Sequence, residues 1–471
     1  MPIQRFTASA DNTIVNAYYP NSLTRAFYAN IGAADSLEMF SIFISGSETQ
    51  KARILVQFPI NVISSSRDMG HIASSGSVSF FLKLFNVEHP ETVSARYTVS
   101  INPVSASWDE GHGLDLENYS DKGQSGSLGY GSNWIFRSST DTTASWKQEG
   151  GDILTGSGYE KTFYFDGGLE DLEVDVTNIV EDQIKGLIPS YGFLIKLSGT
   201  YENGLNETTY YTKRFSARSS EYFYKRPILE ARWKSTVNDD RNNFFYFSNN
   251  LDVEENKQNI YFYNRVNGNL KNLPNNVIPY VKIFSENESL LTSSILSTKV
   301  STGVYKANFS ITGSEEQQLK DVWYSGSYEY YTGSINIYPR TFEDTPVKPE
   351  YLFNISNLRP VYNKNEKPIF KIFAREKNWS PNVYKIANSD IKTLTFNNLY
   401  YKIYRIVDNF NIVDYGISPI AYTLCSYDKN GNYFNLDMSM FESGYSYGIK
   451  LMVLNDSEQI ENKEIFKFKV E

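Results

Sequence analysis

VSFFLKLFNV, residues 78–87, is the stretch on which the fold turns. Apolar and polar positions alternate along it, the two-residue period of a strand that turns one face to a core. The same kind of segment recurs as ARILVQFPI (52–60), RYTVSINPV (96–104), KTFYFDG (161–167) and YGFLIKLSG (191–199), each bounded by Gly, Pro, Asn or Ser. Short strands at near-regular spacing predict sandwiches or barrels rather than βαβ units. Composition points the same way, since 36 Tyr and 30 Phe together outnumber the 45 Lys and Arg. Aromatic enrichment with abundant turn residues marks an all-β chain.

One short helix is expected in the first half, within DVTNIVEDQIKGLIPSYG (175–192). Thr177 is read as its N-cap, with Val180, Ile184 and Leu187 following at i, i+4 and i+7. Gly186 and Pro189 stop it. At 471 residues the chain exceeds one ordinary core. A polar, turn-rich run, KSTVNDDRNN (234–243), closes a first block at about residue 235. A second block, 244–344, holds NIYFYNRVN, IPYVKIFSE, GVYKANFSI and SGSYEYYTGSINIYP. It has the size of an immunoglobulin-like β-sandwich. A third, 345–471, opens after TFEDTPVKP and carries PIFKIFARE, LYYKIYRIV, YGIKLMVLN and EIFKFKVE, read as another such sandwich.

The net charge of −9 and pI near 5.2, with no run of basic residues, argue against a nucleic-acid partner. No apolar run approaches a membrane span, so no membrane insertion is expected. MPIQRFTASADNTIVNAYYP lacks a basic segment followed by an apolar one, so no secretory signal is read there. The single cysteine, Cys425 in AYTLCSYD, cannot form an intrachain disulfide and is expected to be buried and inert. The chain reads as one that folds in a reducing cytosol.

The most chemically loaded stretch is SASWDEGHGLDLENYSDKGQSG, residues 105–126, with Asp109, Glu110, Asp115 and Glu117 gathered near Trp108. Three readings compete: an architectural turn, a cation loop on Asp109, Glu110 and Asp115, and a catalytic carboxylate pair. The spacing does not follow an EF-hand loop, which leaves a structural calcium ion as the cofactor alternative to none at all. Three scattered histidines, His71, His89 and His112, are too few for a zinc site and receive no role. The chain has no Gly-x-Ser-x-Gly elbow, His-Glu-x-x-His helix or phosphate-binding loop, and it is read as a non-enzyme. Tyr130, Trp134 and Trp146 lie in a Gly/Ser/Thr-rich excursion and are the candidate platforms for a sugar ring.

Trp108 with Glu110, then Asp175-Val176-Thr177, Gly192, Phe215-Ser216, Pro227 and Leu229 occur in an order that resembles the DNRLRE-type domain, a jelly roll related to the family 96 carbohydrate-binding modules. The resemblance spans about residues 1–235. It implies an N-terminal jelly-roll sandwich in which Trp108, Glu110, Asp175, Thr177 and Pro227 are fold markers, and so favours the architectural reading of the acidic turn. The name-giving motif is absent, and 118–160 departs from the pattern as an insertion. Farther on, FNLDMS (434–439) and Glu442-x-Gly444-Tyr445-x-Tyr447-x-Ile449 resemble C-terminal modules of virion structural proteins from large tailed bacteriophages. That resemblance implies a tail, neck or fibre-attachment component, assembled in the host cytoplasm, multimeric in the particle and bound to other virion proteins. The alternative is a carbohydrate-binding protein that meets host-surface glycans through its jelly roll.

Overall fold

A computed structural model describes residues 2–19, 23–46, 48–90, 92–114, 130–139, 144–205, 207–340, 350–377, 393–455 and 458–471. The chain divides into two compact units, Pro2–Lys234 and Ser235–Glu471.

The first unit is a jelly-roll sandwich. Its strands are β1 (Ile3–Thr7), β2 (Ala10–Val15), β3 (Ser36–Ser45), β4 (Glu48–Gln57), β5 (Val78–Leu84), β6 (Tyr97–Pro103), β7 (Lys161–Phe165), β8 (Leu172–Asp175), β9 (Phe193–Leu197), β10 (Tyr210–Ser216) and β11 (Ile228–Trp233). One antiparallel sheet runs β1-β11-β5-β8; the other runs β10-β3-β4-β9-β6-β7, with β2 also on β4. In β5 the inward residues are Val78, Phe80, Leu82 and Leu84, alternating with half-exposed neighbours as the pleat requires. They meet Ile54, Val56, Val99, Ile101, Phe193 and Ile195 of the facing sheet. Burial of these faces is the main favourable term in a fold without disulfide help.

Among the described residues three short α-helices, not one, accompany the sheets: α1 (Ile60–Asp68), α2 (Thr177–Ile184) and α3 (Gly199–Asn203). The expected strand through residue 60 stops at Gln57, because Pro59 cannot continue the ladder and instead leads into α1. α1 contains Asn61 and three serines, poor helix formers, so packing rather than propensity creates it. Ile60 and Ile63 are its buried apolar residues, and Arg67 reaches Glu181 of α2 through Nη2–Oε1 at 2.5 Å. In α2 the cap position belongs to Val176, not Thr177. The Thr177 hydroxyl faces the sheet instead and accepts the Phe80 N–H at 2.8 Å, while Asp175 Oδ1 accepts the Thr177 N–H. Leu187 lies beyond the helix and is exposed, so the predicted apolar stripe ends one turn early.

β11 is buried along its whole length although it carries Glu230 and Arg232. Arg5 and Arg232 both approach Glu230 at 2.6 Å. Burial alone would raise this carboxyl; Arg5, Lys83 and Arg232 outweigh it and hold it down to about 2.

The second unit contains two immunoglobulin-like sandwiches. The first comprises β12 (Phe244–Phe245), β13 (Gln258–Tyr263), β14 (Tyr280–Phe284), β15 (Leu290–Leu296), β16 (Thr298–Ser301), β17 (Val304–Phe309), β18 (Gln317–Ser325) and β19 (Tyr328–Tyr338). Its sheets are β12-β19-β18-β14-β15 and β13-β17-β16, closed over Trp323, Tyr305, Ile283 and Ile335. The second comprises β20 (Tyr351–Ile355), β21 (Val361–Tyr362), β22 (Ile369–Glu376), β23 (Leu399–Arg405), β24 (Asn411–Val413), β25 (Ser426–Asp428), β26 (Gly431–Asn435), β27 (Ser446–Asn455), β28 (Glu458–Glu461) and β29 (Phe466–Val470). Its sheets are β20-β22-β26-β25 and β21-β29-β27-β23-β24, with β28 on β27. In each sandwich one short early strand pairs in parallel with the last: β12 with β19, and β21 with β29. Both sandwiches belong to the single unit from Ser235 onward, and residues 341–349 lie outside the described set.

Phe80→Ala, which empties a fully enclosed position of the first core, should cost about 3–5 kcal/mol in urea unfolding. Tyr164→Ala, at a half-exposed position on β7, should change stability by less than about 0.5 kcal/mol in the same assay.

Candidate functional site

The acidic turn is built into the first unit by its own side chains. Trp108 is buried and donates its indole N–H to the Tyr191 carbonyl at 2.8 Å. Glu110 accepts from Arg218 Nη2 at 2.7 Å through Oε2 and from the Asp11 N–H at 3.0 Å through Oε1. The Arg218 N–H in turn donates to Asp11 Oδ2 at 2.6 Å. This clasp joins the start of β2 to the loop after β10. Asp109 receives the Ser138 hydroxyl, and its main chain pairs with Arg137 and Ser132. Gly111 is required here by close approach, since a Cβ would stand 2.0 Å from Asn30 Oδ1.

Two of the three residues considered for a cation are therefore committed elsewhere. Asp109 serves the turn and Glu110 holds Arg218, while Asp115 lies outside the described residues. Among the described residues no group of three or more His, Cys, Asp or Glu is arranged to hold a metal ion. Of the fold markers, Trp108, Glu110, Asp175 and Thr177 all make main-chain contacts that position loops or helix α2. Pro227 accepts the Ala8 N–H through its carbonyl and so fixes the entry to β11.

The aromatic candidates do not form an open platform. Trp134 and Trp146 are 5% and 6% exposed, clustered with Trp108, Leu55 and Leu194. The Trp146 indole donates to the Asn133 carbonyl, and Arg53 lies over the Trp134 ring. Their ring faces are already used, which corrects their reading as sugar platforms. Tyr130 is half-buried and stacked on His112 with centroids 4.7 Å apart. Aromatic residues in a Gly/Ser-rich insertion give the same sequence signal whether they anchor the loop or present a ring.

The strongest constellation of charge lies in the polar run that closes the first block of the sequence. Residues 237–241 leave Lys234 behind and run beside β25. The Tyr427 N–H donates to the Val237 carbonyl, and the Asp239 N–H to the Tyr427 carbonyl, both at 3.0 Å. Asp240 then accepts the Tyr427 hydroxyl at 2.6 Å and the Asn259 N–H of β13 at 2.7 Å. Arg241 enters the first immunoglobulin-like core. Its Nη1 reaches both Asp321 oxygens at 2.7 Å, and its Nη2 donates to the Tyr261 carbonyl at 2.8 Å. Asp321 also accepts the Trp323 indole N–H at 2.7 Å. Gly333 makes the space, because a Cβ there would stand 2.5 Å from Arg241 Nη1 and 2.6 Å from Asp321 Oδ1.

This junction carries more negative than positive formal charge. Asp239 is 6% exposed and 3.4 Å from Arg241 Nε. Burial pushes its carboxyl up to about 7; Arg241 opposes the rise, and Asp240 and Asp321 add to it. Burial likewise raises Asp240. Chemically the arrangement is a fastener: one guanidinium and one hydroxyl hold a segment against two sandwiches at once. Its parts were invisible locally, since Asp321 and Tyr427 are remote in sequence from NDDRN.

No family model and no curated protein matches the sequence. Among solved structures, the chain is similar to the N-terminal Ig1-2 module of the Drosophila receptor protein tyrosine phosphatase DLAR. The identity is 10%, over 46% of this chain and 92% of that one, with a TM-score of 0.15. Tandem Ig repeats of Dlar align at 13% identity over 41% of this chain and 82% of that one, with a TM-score of 0.14.

Asp321→Asn should cost about 3–5 kcal/mol in denaturant unfolding of the second unit, because it removes the closer of the two carboxylates that pair with the buried Arg241. Asp239 has a folded value above its unfolded one, so its contribution to stability falls as pH rises from about 4 to about 7 and is level beyond. Asp239→Asn should therefore raise the melting temperature at pH 8 relative to the wild type, and raise it less at pH 5.

Proposed function

We propose that this chain is a non-enzymatic structural component of a tailed-bacteriophage virion, in a tail, neck or fibre-attachment position. The observation that carries the reading is the junction at 237–241. A flexible tether between sandwiches needs no buried ion pair, yet here Arg241, Asp321, Asp240 and Tyr427 fasten two of them into one body. A part that presents several surfaces to neighbours at set spacing benefits from such fixing, because the ordering is done before assembly. The phage-like segment at 434–449 supports the same role from sequence: Phe434, Leu436 and Met438 are core residues, and the Asp437 carboxylate accepts the Ser439 N–H to cap the following turn. The partners of the proposal are other virion proteins.

Quantitative peptide mass spectrometry on purified particles of the encoding phage tests it. The expected result is recovery in a fixed ratio to the major capsid protein. Presence in infected lysate with absence from particles overturns the proposal, as does an encoding genome that produces no virion.

A further inference from the structure

Lys213 is the only buried lysine among the described residues, 3% exposed within the first unit. Its Nζ lies 2.5 Å from Asn86 Oδ1, 2.8 Å from the Gly168 carbonyl and 2.9 Å from the Glu170 carbonyl. The rings of Phe165 and Phe215 stand 4.8 and 5.0 Å from it. Asn86 follows β5 in one sheet, whereas Lys213 belongs to β10 in the other, so the pair spans the sandwich at one end. The Asn86 carboxamide is held there by its own backbone, which bridges to Phe215 and donates its N–H to Asp171 Oδ1 at 2.7 Å. With Oδ1 at 2.5 Å, Asn86 Cγ lies within about 3.7 Å of Nζ, close to attack distance.

We propose that Lys213 and Asn86 join in an intramolecular isopeptide bond. The neutral amine attacks Asn86 Cγ, and a Cγ–Nζ bond forms. One Nζ proton passes to Nδ2. The Cγ–Nδ2 bond breaks, ammonia leaves, and no oxidant or cofactor is required.

Burial outweighs the attraction of Glu170 and Asp171 and pushes the Lys213 amine down to about 8, so an appreciable fraction holds a lone pair near neutral pH. The proposal rests on the first unit alone and is independent of the virion reading.

Intact-mass spectrometry of the full chain, followed by peptide mapping, tests it. The expected mass is below that of the sequence by one ammonia, about 17 Da, with a branched peptide joining the segments that contain Asn86 and Lys213. Lys213→Met and Asn86→Ala should each restore the full mass. A wild-type chain of full mass after prolonged incubation at pH 8.5 overturns the bond. So does a mass loss without a branched peptide, the mark of ring closure at an asparagine.

Discussion

A charge taken out of water must be met by another, and this protein places such encounters where separate elements have to be joined. Glu230 is enclosed between Arg5 and Arg232 in the β1-β11 pairing. Glu202 of α3 holds Arg53 of β4 at 2.6 Å, with Lys196 of β9 at 3.4 Å. Arg241 and Asp321 do the same in the second unit. Buried pairs of this kind add little net stability over apolar packing, but losing one partner is costly. They therefore act less as a source of stability than as a selection rule: only the arrangement that brings the partners together is tolerable.

Much of the fold was legible because strand alternation is local. Val78, Phe80, Leu82 and Leu84 could be assigned to one face from ten residues of sequence, and the structure buries all four. Helix α1 was not legible, because INVISSSRD carries no helical propensity and no cap, and only its docking against α2 makes it helical. Thr177 shows the subtler failure. A hydroxyl at a helix start looks like a cap, yet a strand N–H at 2.8 Å claims it.

The site was less legible than the fold, for the same reason applied at longer range. NDDRN reads as a solvated turn until Asp321, Tyr427 and Gly333 are known to surround it. The acidic turn at 108–111 drew attention through its carboxylates, but their partners, Arg218 and Ser138, settle what they do. Trp134 and Trp146 looked like surfaces and share a small core with Trp108. Lys213 gave no signal in YYTKRFS, where it occupies one position of an alternating strand. Composition and period report which face a residue takes, not which distant group waits there.

The parallel pairing of an early strand with the last one has a mechanical consequence. In the sandwich that begins at Phe244, the chain enters through β12 and leaves through β19, with Phe244 opposite Ile337 and Phe245 opposite Tyr338. Tension applied to the two ends pulls these neighbours in opposite directions along their length. The hydrogen bonds between them are then loaded together in shear, rather than opened one after another as in a peeled hairpin. The pairing of β21 with β29 repeats the geometry in the last sandwich. In the first of these sandwiches the shear-loaded pair stands where the backbone enters and leaves; in the last it stands one strand farther in, after β20.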